Sequence, residues 1–368
     1  MSEPLHILHY NTASLWRGSE QQGLYLIQQL NKFPVVQYAV GQPDRLFLDT
    51  VAPYVNGTFS LRTRGEFNPL AVLRLREIIK RYKIDIVHTH TTAAHAIALQ
   101  AKYLYPKFKL VVHRRVDFAI KNNPISLFKY RSDKVDRILC VSKFVKDVLV
   151  WQSVPREKTI VIYSGVDPGK FRHPDPVMVE RMRRQYRITD YTVVLLNIAA
   201  LTAHKDHRTL IEAMKFLSAK QIKFKLIIIG EGEQREFLEK RIETLKLSDQ
   251  IVLAGYRSDL DNFFSLATMV VHSSQDEGLG TVILDALANG KPVVATNAGG
   301  IPEILGQNEY GVLVPRLNPK ALALGIFNLL QNKDQMENYC RVSVKRVQEF
   351  SIQNMAEQTF SVYQNLGS

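Results

Sequence analysis

Short apolar runs rich in β-branched residues alternate with amphipathic stretches along the whole chain, and this alternation restricts the fold more than any other feature. Residues 5–9 read as a strand and 21–30 as a helix, then 84–88 and 93–103 repeat the pair, with further strand-like runs at 110–113, 138–141 and 159–163. A second series follows at 192–197, 225–229, 251–254, 268–272, 292–296 and 311–314. Its runs are almost continuously apolar, as strands of a parallel sheet covered on both faces must be. Between the series, Gly165-Val166-Asp167-Pro168 leads into a stretch, 171–177, rich in proline and charge and read as a linker. The 368 residues exceed twice the roughly 150 of an ordinary domain. The expectation is two doubly wound α/β domains, 1–172 and 173–351, facing a central cleft lined by strand ends. No internal sequence repeat or low-complexity segment interrupts them.

Composition narrows the class. Hydrophobic residues at 46% and charged residues at 23% are ordinary for a soluble globular protein and exclude a disordered or collagen-like chain. No run approaches the ~18 apolar residues of a spanning helix, and Met1-Ser2-Glu3-Pro4 begins no basic segment followed by an apolar one. A cytoplasmic protein is expected. Cys140 and Cys340 stand far apart without a CxxC or Cys/His cluster, so they read as buried thiols rather than as a disulfide or zinc ligands.

The charge of +13 is unevenly placed. Up to Lys170 there are 25 basic and 13 acidic residues, a balance of +12; the remainder has 23 and 22, a balance of +1. Residues 101–137 hold ten basic and three acidic residues interleaved with Tyr103, Tyr105, Phe108, Phe118, Phe128 and Tyr130. Residues 70–83 repeat Ala71, Leu75, Ile78 and Tyr82 at helical spacing, with cations between, and this stripe is expected to pack on a sheet. Solvated helix faces explain either stretch alone. The asymmetry favours an anionic partner, a membrane surface or a phosphate-bearing acceptor, and no nucleic-acid-binding motif is present.

The most informative stretch runs from Ser273 to Val294: Ser-Ser-Gln-Asp-Glu-Gly-Leu-Gly-Thr-Val-Ile-Leu-Asp-Ala-Leu-Ala-Asn-Gly-Lys-Pro-Val-Val. A buried strand ends, a glycine-bearing turn lets backbone approach a ligand, and a helix begins with free N–H groups suited to phosphate. Glu277 and Asp285 flank that turn. Both can point toward the cleft, but spacing alone favours reading Glu277 as a cap of the helix start and Asp285 as a solvated helix carboxylate.

Taken whole, the stretch resembles the sugar-nucleotide signature of retaining glycosyltransferases of GT-B architecture, in particular glycosyltransferase family 4 (group 1). Tyr163-Ser164-Gly165-Val166-Asp167 with Phe171, Val141-Ser142, Asn197 to Lys205 with Leu210-Ile211-Glu212-Ala213, Ile229-Gly230-Glu231-Gly232, and Gly299-Gly300-Ile301-Pro302-Glu303 extend the resemblance over nearly the whole chain. It implies two Rossmann-like domains, an N-terminal one for the acceptor, completed by a C-terminal helix 352–368, and a C-terminal one for the donor.

The resemblance also implies roles. Glu277 would hold the transferred sugar's hydroxyls and Asp285, where most relatives have Glu, the ribose. Backbone at Gly278, Leu279 and Gly280, with Thr281, would face sugar and diphosphate. Lys205 matches the diphosphate-binding lysine, whose charge offsets that of the leaving group. The arginine common five positions earlier is Ala200 here, with Arg208, Arg114 or Arg257 as substitutes. Gly18, Ser19 and Glu20 fall in the turn facing diphosphate and sugar, His113 matches the cleft histidine on the donor sugar, and Tyr256 or Arg257 would cover the base. The implied donor is a nucleoside-diphosphate sugar, UDP before GDP, with no cofactor and no metal. The implied acceptor is a glycan or lipid-linked hydroxyl, placing the protein at the inner face of the cytoplasmic membrane, docked through 70–83 and 101–137. Two other readings share the features: a non-hydrolysing sugar-nucleotide epimerase, and a basic non-catalytic protein binding anionic ligands. Three motifs read as decoys: Asp259-Leu260-Asp261 as a helix cap rather than a metal-binding Asp-x-Asp, His88-Thr89-His90 as lacking a third zinc ligand nearby in sequence, and Gly230-Glu231-Gly232-Glu233 as an incomplete dinucleotide fingerprint.

Overall fold

A computed structural model describes residues 3–116, 119–120, 123–171 and 173–367; Phe118, Arg172 and the chain start at Met1 and Ser2 lie outside them. The chain divides into two compact units, Met1–Gly165 with Ile352–Ser368, and Val166–Ser351.

The first unit is built on a seven-stranded sheet of β1 (Leu5–Tyr10), β2 (Val35–Gly41), β3 (Gly57–Ser60), β4 (Ile86–Thr89), β5 (Lys109–Arg114), β6 (Arg137–Cys140) and β7 (Thr159–Val161), ordered β3-β2-β1-β4-β5-β6-β7. Every pairing is parallel. The second unit repeats the topology with β8 (Val193–Ile198), β9 (Phe224–Ile229), β10 (Ile251–Leu253), β11 (Met269–His272), β12 (Val293–Thr296) and β13 (Val312–Val314), ordered β10-β9-β8-β11-β12-β13 and again all parallel. Each order reverses beside its first strand, between β1 and β4 and between β8 and β11. Ligands of such sheets bind outside the carboxyl ends of the strands at that reversal.

Two strands had no counterpart in the sequence reading. β2 carries a buried polar residue, Gln37, in mid-strand, and β3 is a four-residue edge with alternating exposure, so neither shows the continuous apolar run of its neighbours. The stripe of helix Pro69–Arg81 is also rotated from the expected one: Ala71, Val72, Leu75 and Ile79 are buried, while Ile78 and Tyr82 are half-buried. Cys140 is buried, with its thiol pushed up to about 12 by burial, whereas Cys340 is only half-buried.

The last helix, Ile352–Gly367, belongs to the first unit, where Met355, Phe360, Tyr363 and Leu366 join Ile7, Tyr25 and Leu26 in one core. Fully burying such side chains is worth roughly 1.5–3 kcal/mol each. The stretch after Gly165 packs instead on the second unit: Val166 N donates to Phe350 O at 2.8 Å, Asp175 N to Asn262 Oδ1 at 2.8 Å, and Phe171 meets Phe264 at 5.5 Å. No helix among the described residues is long and apolar enough to cross a membrane.

Candidate active site

In the second unit the strand ends converge on Glu277. Leaving β11, the chain turns through Ser273 to Gly280 before helix Thr281–Ala288 begins. Glu277 Oε2 accepts from Lys205 Nζ at 2.6 Å, from His272 Nε2 at 3.0 Å and from the Ser274 hydroxyl at 3.1 Å. A carboxylate only accepts, so His272 carries a proton on Nε2. Burial by itself would raise the Glu277 pKa; the Lys205 ammonium, followed by His272, more than offsets this and holds the carboxyl well below the usual carboxylate range. The acid is therefore an anion whose position three donors fix.

The backbone leaves it no slack. Gly300 N donates to Glu277 O at 3.0 Å, and a Cβ on Gly299, whose φ is +51°, would lie 1.8 Å from that same oxygen. Thr296 on β12 donates to Ser274 O at 2.6 Å, Ser273 donates to Lys205 O at 3.0 Å, and Arg316 donates to Gln275 O at 2.8 Å. Arg316 escaped the sequence reading because it acts on a loop distant from it in the chain, and His272 because it looks like an ordinary residue at a strand end.

Asp285, about one turn into the helix, does not join this group. It keeps part of its surface in solvent, yet burial, with a smaller repulsion from Asp167 and a countering attraction from Lys170, pushes its carboxyl up to about 7. Gly278, Leu279 and Gly280 are buried and Thr281 is half-buried. Of the expected phosphate or base contacts, Arg208 is 63% exposed and paired with Glu212 at 3.0 Å. Arg257 is forked onto Asp259 at 2.8 and 2.7 Å, and Tyr256 is 77% exposed. That fork corrects the expected cap: Asp259 stands at the start of helix Leu260–Leu266, but its side chain caps nothing, because Arg257 takes both oxygens. Gly230 and Gly232 serve packing, since a Cβ on either would fall within 2.0 and 2.3 Å of the Ala199 and Leu201 carbonyl oxygens.

In the first unit Gly18 is exposed and Ser19 half-buried at the start of helix Gly18–Leu30, while Glu20 turns inward. Its Oε2 accepts from Arg17 N at 3.1 Å and Ser19 Oγ at 2.8 Å, and Oε1 from Asn11 Nδ2 at 3.4 Å, so the carboxylate is spent on the helix start. His113, at the end of β5, is buried, and burial first, then Arg115 and His88, hold its pKa well below the ordinary histidine value. Arg114 is buried against Tyr130, donating to its hydroxyl at 3.0 Å. His88 and His90 do have a third imidazole within reach: His9 on β1, brought by strand pairing, offers a nitrogen within 4.8 Å of theirs. The basic stretch 101–137 is less exposed than its composition suggests. Lys102 is paired inside with Asp136, and Lys129 with Glu66 at 3.0 Å.

Two family models match the chain: "Glycosyltransferase Family 4" over residues 16–170 and "Glycosyl transferases group 1" over residues 178–345. The "Putative glycosyltransferase EpsD" of Bacillus subtilis is 28% identical over 330 residues, covering 85% of this chain and 86% of that protein. A glycosyltransferase from Rickettsia africae superposes with a TM-score of 0.88 at 23% identity, covering 99% of both chains. Anabaena Alr3699/HepE, solved with UDP-glucose, superposes with a TM-score of 0.86 at 19% identity over 98% of this chain and all of its own.

Proposed function

The chain belongs to the group 1, family 4 glycosyltransferases of GT-B architecture, and on that premise we propose that it moves a hexose or N-acetylhexosamine from a nucleoside-diphosphate sugar to an acceptor hydroxyl with retention of configuration. UDP is the favoured nucleotide and GDP the second; the pathway is synthesis of a cell-surface polysaccharide, lipopolysaccharide or glycolipid. The observation that carries this reading is the ionised Glu277, held by Lys205, His272 and Ser274 at the carboxyl end of β11.

As the sugar–oxygen bond breaks, the ring gains positive charge and the departing diphosphate negative charge. An ammonium has three donors. Lys205 spends one on Glu277 and can aim the others at phosphate, while the free N–H groups at the start of helix Thr281–Ala288 add a positive end. Glu277 holds sugar hydroxyls, Asp285 the ribose, and His113 donates to the sugar. The diphosphate takes the acceptor's proton on the same face, so neither a side-chain base nor a metal is required.

The acceptor is read as lipid-linked, presented at an anionic inner membrane surface to residues 70–83 and 101–137. Leu70, Leu73, Tyr103, Leu104, Ile125 and Phe128 stand exposed in or beside these stretches among the remaining cations. The test is transfer from a panel of UDP- and GDP-sugars to lipid acceptors in anionic vesicles, at low and high salt. Glu277→Ala and Lys205→Ala should each lower turnover by roughly 10²–10³-fold while the chain remains folded. Wild-type rates in both variants, or an altered nucleotide sugar as the product, would reject the reading.

A further inference from the structure

The first unit holds a second polar constellation, of which the transfer reading uses only His113. His9, His88, His90 and His113 gather at the carboxyl ends of β1, β4 and β5, with His88 and His113 stacked at 5.3 Å and 7° and His88 and His90 at 4.4 Å. Arg115, the residue after β5, lies against them: its Nη1 is 3.1 Å from His90 Nδ1 and its Nη2 3.1 Å from His113 Nδ1.

A guanidinium only donates, so both Nδ1 atoms are lone pairs and both imidazoles carry their proton on Nε2. The assignment propagates. His90 Nε2–H donates to His9 Nδ1 at 3.1 Å, and His9 Nε2–H donates to Gln37 Oε1 at 3.0 Å. Gln37 Nε2 ends the chain on Ile27 O at 3.0 Å and Asn31 Oδ1 at 2.7 Å. Burial keeps the imidazoles uncharged, with His9 lowered to about 4 and His88, His90 and His113 well below the ordinary value. The nitrogens of His9 and His90 that would face a metal are spent on each other, and Arg115 adds a positive charge beside them. A cation is not what this pocket lacks.

It lacks negative charge. No carboxylate among the described residues lies within ion-pair distance of Arg115. Glu20, the acid whose field reaches it, is committed to the helix start. Among the described residues the guanidinium Nε has no hydrogen-bond partner although it is shut off from solvent, and neither has His113 Nε2, which is buried in the same way. Arg115 itself stays partly exposed, at strand ends where parallel sheets bind ligands. The Nε edge of a guanidinium presents two parallel N–H groups that match two oxygens of a phosphate or carboxylate.

We propose that Arg115 is an oxyanion receptor, whose free Nε edge takes a phosphate or carboxylate of a substrate while the His90–His9–Gln37 relay holds the guanidinium without neutralising it. The oxyanion comes either from a nucleotide diphosphate or from a phosphate on the acceptor.

The probe is inorganic phosphate, added to the full chain carrying Lys205→Ala so that the second unit's candidate phosphate ligand is gone. Phosphate should raise its melting temperature, and chloride at equal ionic strength should not. The rise should vanish when Arg115→Met is added. With Arg115→Lys, which keeps the charge but loses the fork, 31P line broadening should report binding weakened roughly tenfold, a readout that does not depend on the methionine variant folding. Loss of the phosphate response under saturating UDP assigns the oxyanion to the nucleotide; persistence assigns it to the acceptor. Equal responses with and without Arg115, no response to phosphate, or a matching response to chloride would overturn the proposal. Failure of sugar transfer leaves this binding test untouched.

Discussion

Glu277 and Arg115 both lie beyond the carboxyl ends of parallel strands, in two sheets of like topology, yet their charges are treated in opposite ways. Around Glu277 the protein supplies an ammonium, an imidazole N–H and a hydroxyl, all to one carboxylate oxygen. Around Arg115, among the described residues, it supplies two neutral imidazoles and no acid within ion-pair distance. Taking a charge out of water costs several kcal/mol unless a partner compensates it. The second unit meets that cost internally, so its anion is fixed before any ligand arrives. The first unit leaves the cost standing, and a ligand that brings the missing charge recovers it. A completed group marks a residue that must be positioned; an incomplete one marks a residue that must be filled.

The largest effect expected of this contrast comes from the backbone behind Glu277. Gly299→Ala would force a Cβ against the Glu277 carbonyl, so urea unfolding should show a loss of about 3 kcal/mol, and turnover should fall with it. A stable, active alanine variant would show that the loop has slack. Next comes Lys205→Met, which strands a mostly buried carboxylate and should cost about 2 kcal/mol in ligand-free chain, less than a fully enclosed pair because Lys205 and Glu277 keep 18% and 14% of their side-chain surface. Arg115→Met should cost less than Lys205→Met, since it removes an uncompensated charge; the reverse ranking would break the comparison.

The smallest effect is expected at Asp285, which resembles Arg115 in lacking full compensation. Its carboxyl is raised to about 7 in the folded chain from a reference value of 3.8. Between these values the folded state holds a proton that the unfolded state has released, so stability falls as pH rises through this window and levels off above it. Asp285→Asn removes the dependence. Its melting temperature should match wild type near pH 4 and exceed it by ~2 °C above pH 7, about 1 kcal/mol. Solvent at the part-exposed carboxyl screens most of the roughly 4 kcal/mol that a full shift to 7 would represent. A constant difference across that range would mean the carboxyl titrates normally.

Much of the fold could be read directly. Parallel strands covered on both faces must be largely apolar along their length, and the runs that became β8, β9, β11 and β12 are so but for one polar residue each, Asn197, Lys225, His272 and Thr296. The rule fails where a strand does more than fill the core. Gln37 interrupts β2 because its amide ends the histidine relay, and β3 is too short and too exposed to stand out. Glu277 and Lys205 were legible through their surrounding motif. His272 and Arg115 were not, since each looks in sequence like an ordinary residue near a strand end.

Local order along the chain was enough to specify strands, helices, their parallel arrangement and the glycine-bearing turn after β11, because periodicity and turn chemistry act between neighbours. Which charges are free was decided only by folding. Lys102 and Lys129 contribute to the basic composition of residues 101–137 but are consumed by Asp136 and Glu66, while Glu277 meets Lys205 across 72 positions and His9 meets His90 across 81. A side chain's protonation and availability depend on the partners within a few ångströms, and those are chosen by sheet topology rather than by position in the chain.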